Sequence, residues 1–128
     1  MGRPYIHPDF VYYRGDFHGN IINDARDFSA IVIEAKAFVD AMTRSDREEY
    51  LTIDRIKAAY LDAICSVAEE IYKQRTIDEG KQKQSESVGN HSVSYSVNAK
   101  SSEDRENSKH RKARTFLTGT GLLYRGLH

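Results

Sequence analysis

Residues 52–77, TIDRIKAAYLDAICSVAEEIYKQRTI, decide how this chain folds. Ile53, Ile56, Ala59, Tyr60, Ala63, Ile64, Val67, Ala68, Ile71 and Tyr72 recur at steps of three and four, which places them in one wide stripe along a helix. A half-buried strand would need alternation at every second residue, and the stretch lacks it. The spacing predicts an amphipathic helix to about Ile77, with Thr52 as its cap and Gly80 as a natural stop. Cys65, the single cysteine, lies inside the stripe, where a buried thiol is the ordinary outcome.

Upstream, Phe28, Ile31, Val32, Ala35, Phe38, Val39 and Met42 repeat the pattern, with Asp27, Glu34, Lys36 and Asp40 on the other side. Asn23 or Asp24 can cap this helix by accepting from the free N–H groups of its first turn. The polar connector TRSDREEYLT, residues 43–52, contains a Ser45-x-x-Glu48 spacing that could cap a single helical turn. Two amphipathic helices joined so briefly are expected to pack antiparallel, with Ala35, Ala59, Ala63 and Ala68 allowing close approach. The first 22 residues hold Pro4, Pro8, Gly15, Gly19 and five aromatic rings, a composition that disfavours a helix and predicts an extended lead-in with one short strand.

Downstream the character changes. Residues 81–107 contain few large apolar side chains, yet Val93, Tyr95 and Val97 alternate with serines, the two-residue period of a strand covered on one face. A helix is expected to start at Ser101 or Ser102, with Glu103, Asp104 and Glu106 early and Lys109, Arg111, Lys112 and Arg114 late, as the helix dipole prefers. Its apolar stripe is thin, so docking through Ala113, Phe116 and Leu117 is expected. The closing TGTGLLYRG, with Gly119 and Gly121 ahead of Leu122, Leu123, Tyr124 and Arg125, reads as an irregular segment offering apolar side chains to a partner. The expected fold is therefore mainly α: an N-terminal segment (1–22), a small bundle on two long antiparallel helices (23–80), and an extended C-terminal arm (81–128) with a short β-strand and a further helix, all in one domain.

Of the 128 residues, 39% are apolar, so the core is modest and the polar last third cannot bury itself. The formal charge of zero conceals a split. Residues 1–80 carry 10 Lys/Arg against 15 Asp/Glu, and residues 81–128 carry 9 against 4, a net −5 followed by +5. A basic tail of this kind is expected to meet an acidic surface. No apolar run of membrane-spanning length occurs and the N-terminus lacks a signal-peptide layout, so no membrane contact and no export are expected.

Signs of chemistry are sparse. His7, His18, His91, His110 and His128 lack metal-ligand spacing, the serines lack a nucleophile elbow, and the TGTG glycines are followed by leucines where a phosphate loop needs Lys-Ser/Thr. Asp24, Asp27, Glu34, Asp40, Asp62, Glu69 and Glu70 read as solvated helix faces. No catalytic residue, cofactor or metal is expected. The run Lys109–Arg114 is the best candidate for contact with nucleic acid or an acidic surface, although it lacks interleaved aromatics for stacking.

Several stretches in combination resemble the head-tail connector, or adaptor, proteins of long-tailed double-stranded DNA bacteriophages and prophages of Gram-positive hosts. They are DFHGNI (16–21), EAKAFVDAMT (34–43), IKAAYLDAICSVAEEI (56–71), SESVGNHSVSY (85–95) and TGTGLLYRG (118–126). The resemblance implies a helical bundle that assembles in the host cytoplasm as a ring of about twelve copies at the head-tail interface of the virion, continuing the DNA channel. The implied partners are other copies of the chain, the portal, and a stopper or tail-completion protein, with duplex DNA passing through. By position, Ser85 to Val97, with Ser85, Val88, Gly89, Val93, Tyr95 and Val97 foremost, and then Thr118 to Arg125, with Gly119, Gly121, Leu122, Leu123, Tyr124 and Arg125, would be arm contacts to portal or neighbour. The charged stretch 98–113 is longer than this family leads one to expect. The rival reading is a small nucleic-acid-binding regulator that uses Lys109–Arg114, and an enzyme is the least favoured.

Overall fold

The computed structural model describes residues 7–43, 47–88 and 102–123, and their side chains except at 47, 48, 78, 80–88 and 102. In chain order the helices are α1 (Phe10–Gly15), α2 (Ala25–Met42), the single turn α3 (Arg47–Tyr50), α4 (Asp54–Val88) and α5 (Ser102–Leu117). Among the described residues there is no sheet, only an isolated antiparallel bridge between Thr43 and Leu123. The strand expected around Val93 to Val97 lies outside the described residues, as do Gly89, Tyr124 and Arg125.

Helix α2 starts at Asp24, whose carboxylate accepts from the Arg26 N–H at 2.7 Å. It runs antiparallel to α4, since Tyr60 donates to Asp40 while Arg75, further along α4, pairs with Glu34, earlier in α2, at 2.5 Å. Their facing stripes bury Phe28, Ile31, Val32, Ala35 and Val39 against Tyr60, Ile64, Val67, Ala68 and Ile71. Both amphipathic readings hold, with Phe38 half-buried and Ile53 and Ile77 exposed at the ends of the α4 stripe.

Four expectations need correction. The N-terminal segment is helical at α1 because Asp9 caps it, accepting from the Tyr12 N–H at 2.8 Å. Pro8 precedes the cap and Gly15 is the last helical residue, so both punctuate the helix and neither interrupts it. Thr52 does not cap α4: its hydroxyl donates to the Glu49 carbonyl at 2.7 Å, and the Ile53 carbonyl accepts from Ile56 and Lys57.

Gly80 does not stop α4, which continues to Val88, carrying Ser85 and Val88 with it. A glycine inside a helix costs only about 1 kcal/mol relative to alanine, and the Lys, Gln and Glu that follow propagate a helix well. The boundary placed at residue 80 therefore falls within one helix about 50 Å long.

The C-terminal third is also less arm-like than expected. Helix α5 lies along α4, and Ala113, Leu117 and Leu122 are fully buried in the same core as α2 and α4. After α5, Gly119 and Gly121 take the left-handed conformation (φ +87° and +84°), which turns the chain back. The Thr120 hydroxyl donates to the Leu117 carbonyl at 2.6 Å and accepts from the Leu122 N–H at 3.1 Å, fixing that reversal. Leu122 thus fills the chain's own core, and half-buried Leu123 bridges to Thr43.

Candidate interaction site

Helices α4 and α5 diverge enough to leave a groove of about 560 Å³ lined by Glu70, Lys73, Gln74, Ile77, Arg105, Ser108, Arg111, Lys112 and Thr115. The helical repeat explains the membership. Residues 70, 73, 74 and 77 form one face of α4, and 105, 108, 112 and 115 one face of α5. The Gln74 side-chain amide donates to Glu70 and to the Arg105 carbonyl, both at 3.3 Å, closing the floor. Lys73, Arg111 and Lys112 are exposed at the rim, and Ile77 is 49% exposed beside them. The groove lining thus holds four cations and one buried carboxylate, an excess of positive charge.

The same geometry divides the run 109–114. Lys109 ion-pairs with Glu106 of its own helix at 2.7 Å and stands 5.1 Å from the ring centre of Phe38 on α2, so its charge is engaged away from the groove. His110 packs on Phe38 at 4.7 Å between ring centres, Ala113 is buried, and Arg114 is exposed and absent from the groove. Only Arg111 and Lys112 of the run reach the groove, joined there by Lys73 and Arg105, which the sequence reading did not single out. The seven-residue spacing of Arg105 and Lys112, two helical turns, was the signal available for Arg105. Lys73 has no comparable mark, because its role depends on how α5 lies against α4.

Of the residues expected to meet a partner, Leu117 and Leu122 are buried within the chain, while Phe116 is half-buried against Phe17 at 5.8 Å between ring centres. Gly119 and Gly121 are exposed at the turn.

The strip of α4 that rests on α1 carries the carboxylates Asp62 and Glu69 and adjoins the groove, Glu69 standing one turn before Lys73. Tyr12 donates to Asp62 at 2.8 Å, and Tyr13 donates to Glu69 at 2.7 Å while accepting from the Ile21 and Ile22 N–H groups at 3.1 and 2.9 Å. These carboxylates, like Asp40 under Tyr60, are tyrosine partners that tie helices together, and Glu70 is buried under the groove; the solvated-face reading holds for Asp24, Asp27 and Glu34. Burial raises the Asp62 pKa, with the Tyr12 hydrogen bond opposing and nearby Asp16 adding to the rise. Burial also pushes Tyr13 up to about 12, with its backbone donors opposing and the Glu69 hydrogen bond reinforcing. Cys65 is fully buried, and burial followed by the charges of Asp62 and Glu69 pushes its thiol strongly up, which leaves it a packing group.

Among the described residues no group of three potential ligands could hold a metal ion, and no helix is long and apolar enough to cross a membrane. Comparison of the chain with protein-family models, curated proteins and solved structures gives no match.

Proposed function

We propose that this chain is a non-catalytic virion structural subunit, a head-tail connector that forms a ring between portal and stopper or tail and continues the DNA channel. The observation that carries this reading is the reach of α4. Its last buried side chain among those described is Gln74, yet the helix runs on to Val88, about 20 Å further, with Arg75, Thr76, Ile77 and Glu79 exposed. Those exposed positions gain little from packing within the chain, which is where most helical stability comes from. The last residues of α4, Ser85 to Val88, open the stretch SESVGNHSVSY, which carries the connector resemblance. Extended backbone from that stretch could add to a sheet edge on another chain.

The rival reading, a nucleic-acid regulator using Lys109–Arg114, is the less supported because that run is divided among three helix faces with Lys109 already paired.

The test is reconstitution with the portal protein encoded by the same genome, viewed by electron microscopy. Rings seated on the portal are expected. Replacing residues 85–97 by a Gly/Ser linker of equal length should leave the helical circular dichroism of the body in place and abolish portal binding. Portal binding at normal affinity by that variant would overturn the assignment, and so would a wild-type chain that never associates with portal.

A further inference from the structure

We infer that the cationic groove between α4 and α5 receives the α2–α4 flank of a second copy of this chain, around Asp27 and Glu79; this names the contact between ring subunits and rests on the connector reading above. The groove presents Lys73, Arg105, Arg111 and Lys112 over buried Glu70, with Ile77 49% exposed among them. On the far side of α4 a second cleft, of about 290 Å³, is lined by Asp27 and Ala30 of α2 and by Tyr72, Arg75 and Glu79 of α4. Asp27 and Glu79 are exposed there, while the charge of Arg75 is taken by Glu34 at 2.5 Å. Arg26, at the start of α2, stands 3.9 Å from Asp24. One turn beyond Ala30, Ile33 is 48% exposed and gives the acids an apolar neighbour.

The helical repeat puts these two surfaces on opposite sides of α4. At about 100° per residue, its positions 70, 73, 74 and 77 centre about 160° from positions 72, 75, 76 and 79. A copy seated in the groove therefore keeps its own groove open on the far side for the next, and the contact is heterologous. Both surfaces occupy nearly the same stretch of α4, offset by about 3 Å along it. Copies then stand side by side with α4 parallel and advance by rotation with little rise, the condition under which a heterologous contact closes into a ring. The charges are complementary, and each surface offers one exposed isoleucine, Ile77 or Ile33. A nucleic-acid backbone would pair with the cations but leave Ile77 in water, so the second copy is the better occupant.

Full-length variants test this by sedimentation in about 50 mM salt, where exposed charges are weakly screened. K73E/K112E makes the groove acidic and leaves the flank intact. D27K/E79K makes the flank basic and leaves the groove intact; E79K alone acts in the same direction without placing a cation in the first turn of α2, where the helix dipole disfavours it. Each variant alone juxtaposes like charges, so self-association at least about tenfold weaker than wild type is expected, with unchanged helical circular dichroism. An equimolar mixture of K73E/K112E with D27K/E79K restores opposite charges at both contacts of an alternating assembly, and recovery of wild-type association is expected.

The inference is overturned by variants that assemble as wild type does, by a mixture no better than its components, or by a wild-type chain that stays monomeric. It is equally overturned if K73E/K112E loses affinity for a short DNA duplex while self-association is unchanged, which would assign the groove to nucleic acid. Portal binding is read separately, so the connector reading stands or falls on its own experiment.

Discussion

At the scale of single residues, Tyr13 does the most to hold the N-terminal third to the body. Its ring stacks on Phe28 at 5.0 Å between centres, its hydroxyl is satisfied by Glu69 and two backbone N–H groups, and Gly19 lies flat against it. A Cβ on Gly19 would sit 2.2 Å from two carbons of that ring, closer than any packing tolerates, and the ring is held on both faces. Gly19→Ala is therefore expected to destabilise the fold by about 3 kcal/mol, the upper range for overpacking, read as a lower urea midpoint. The tyrosine also gives the chain an alkaline limit. Its folded pKa of about 12 exceeds the ordinary value near 10, so between those values the folded state keeps a proton that the unfolded state has lost. Stability contributed by this group is complete below about pH 10 and falls as pH rises towards 12. The urea midpoint of wild type should drop across that window more steeply than that of Tyr13→Phe, with Tyr12, raised in the same direction, supplying the remaining slope. Equal slopes would show that the hydroxyl is not buried as described. The segment DFHGNI was legible in the sequence only as a resemblance; that its glycine accommodates a ring six residues earlier was invisible, because the contact is tertiary.

At the scale of elements, α2 and the α4 stripe follow from the repeat of apolar side chains, and α5 from its order of acidic before basic residues. The ends of elements are not legible where a local signal has two meanings. Pro8 and Gly15 flank a helix as readily as they exclude one, and Gly80 is tolerated within a helix whose neighbours are good helix formers. The TGTG turn shows the same ambiguity at α5, since glycines followed by leucines describe an exposed tip or a reversal into the core equally well. The structure selects the reversal, with Leu117 and Leu122 both fully buried. Leu117→Ala should accordingly cost about 2–5 kcal/mol, the range for truncating a buried leucine. Gly119→Val, a β-branched residue at φ +87°, should also destabilise even though a Cβ there meets nothing within 4 Å, because the cost is in the backbone. Thermal unfolding of the two variants checks both, and an unchanged midpoint for Gly119→Val would mean the turn relaxes to another conformation.

At the scale of the whole molecule, the charge split was visible in the sequence as −5 followed by +5, but its spatial form was not. The basic third is not a detached arm lying on the body. Its helix α5 is part of the body, and the surplus cations converge with Lys73 of α4 on one side of it. This integration makes a direct prediction about truncation. If residues 81–128 were a separable arm, a chain ending at Gln84 would keep its fold. Instead that fragment loses Ala113, Leu117 and Leu122 from the core, the ring contacts of Phe116 and His110, and the α5 cover of α4. Two buried leucines alone account for about 4–10 kcal/mol, against a total stability of about 5–15 kcal/mol for a domain of this size. The fragment 1–84 should therefore fail to show a cooperative unfolding transition and should expose apolar surface to a hydrophobic dye. The variant with a Gly/Ser linker in place of residues 85–97 keeps α5 and its core residues, and should unfold cooperatively near the wild-type midpoint. A fragment 1–84 that melts cooperatively would return the C-terminal third to the status of an arm. A linker variant that does not would show that residues 85–97 are required for the fold.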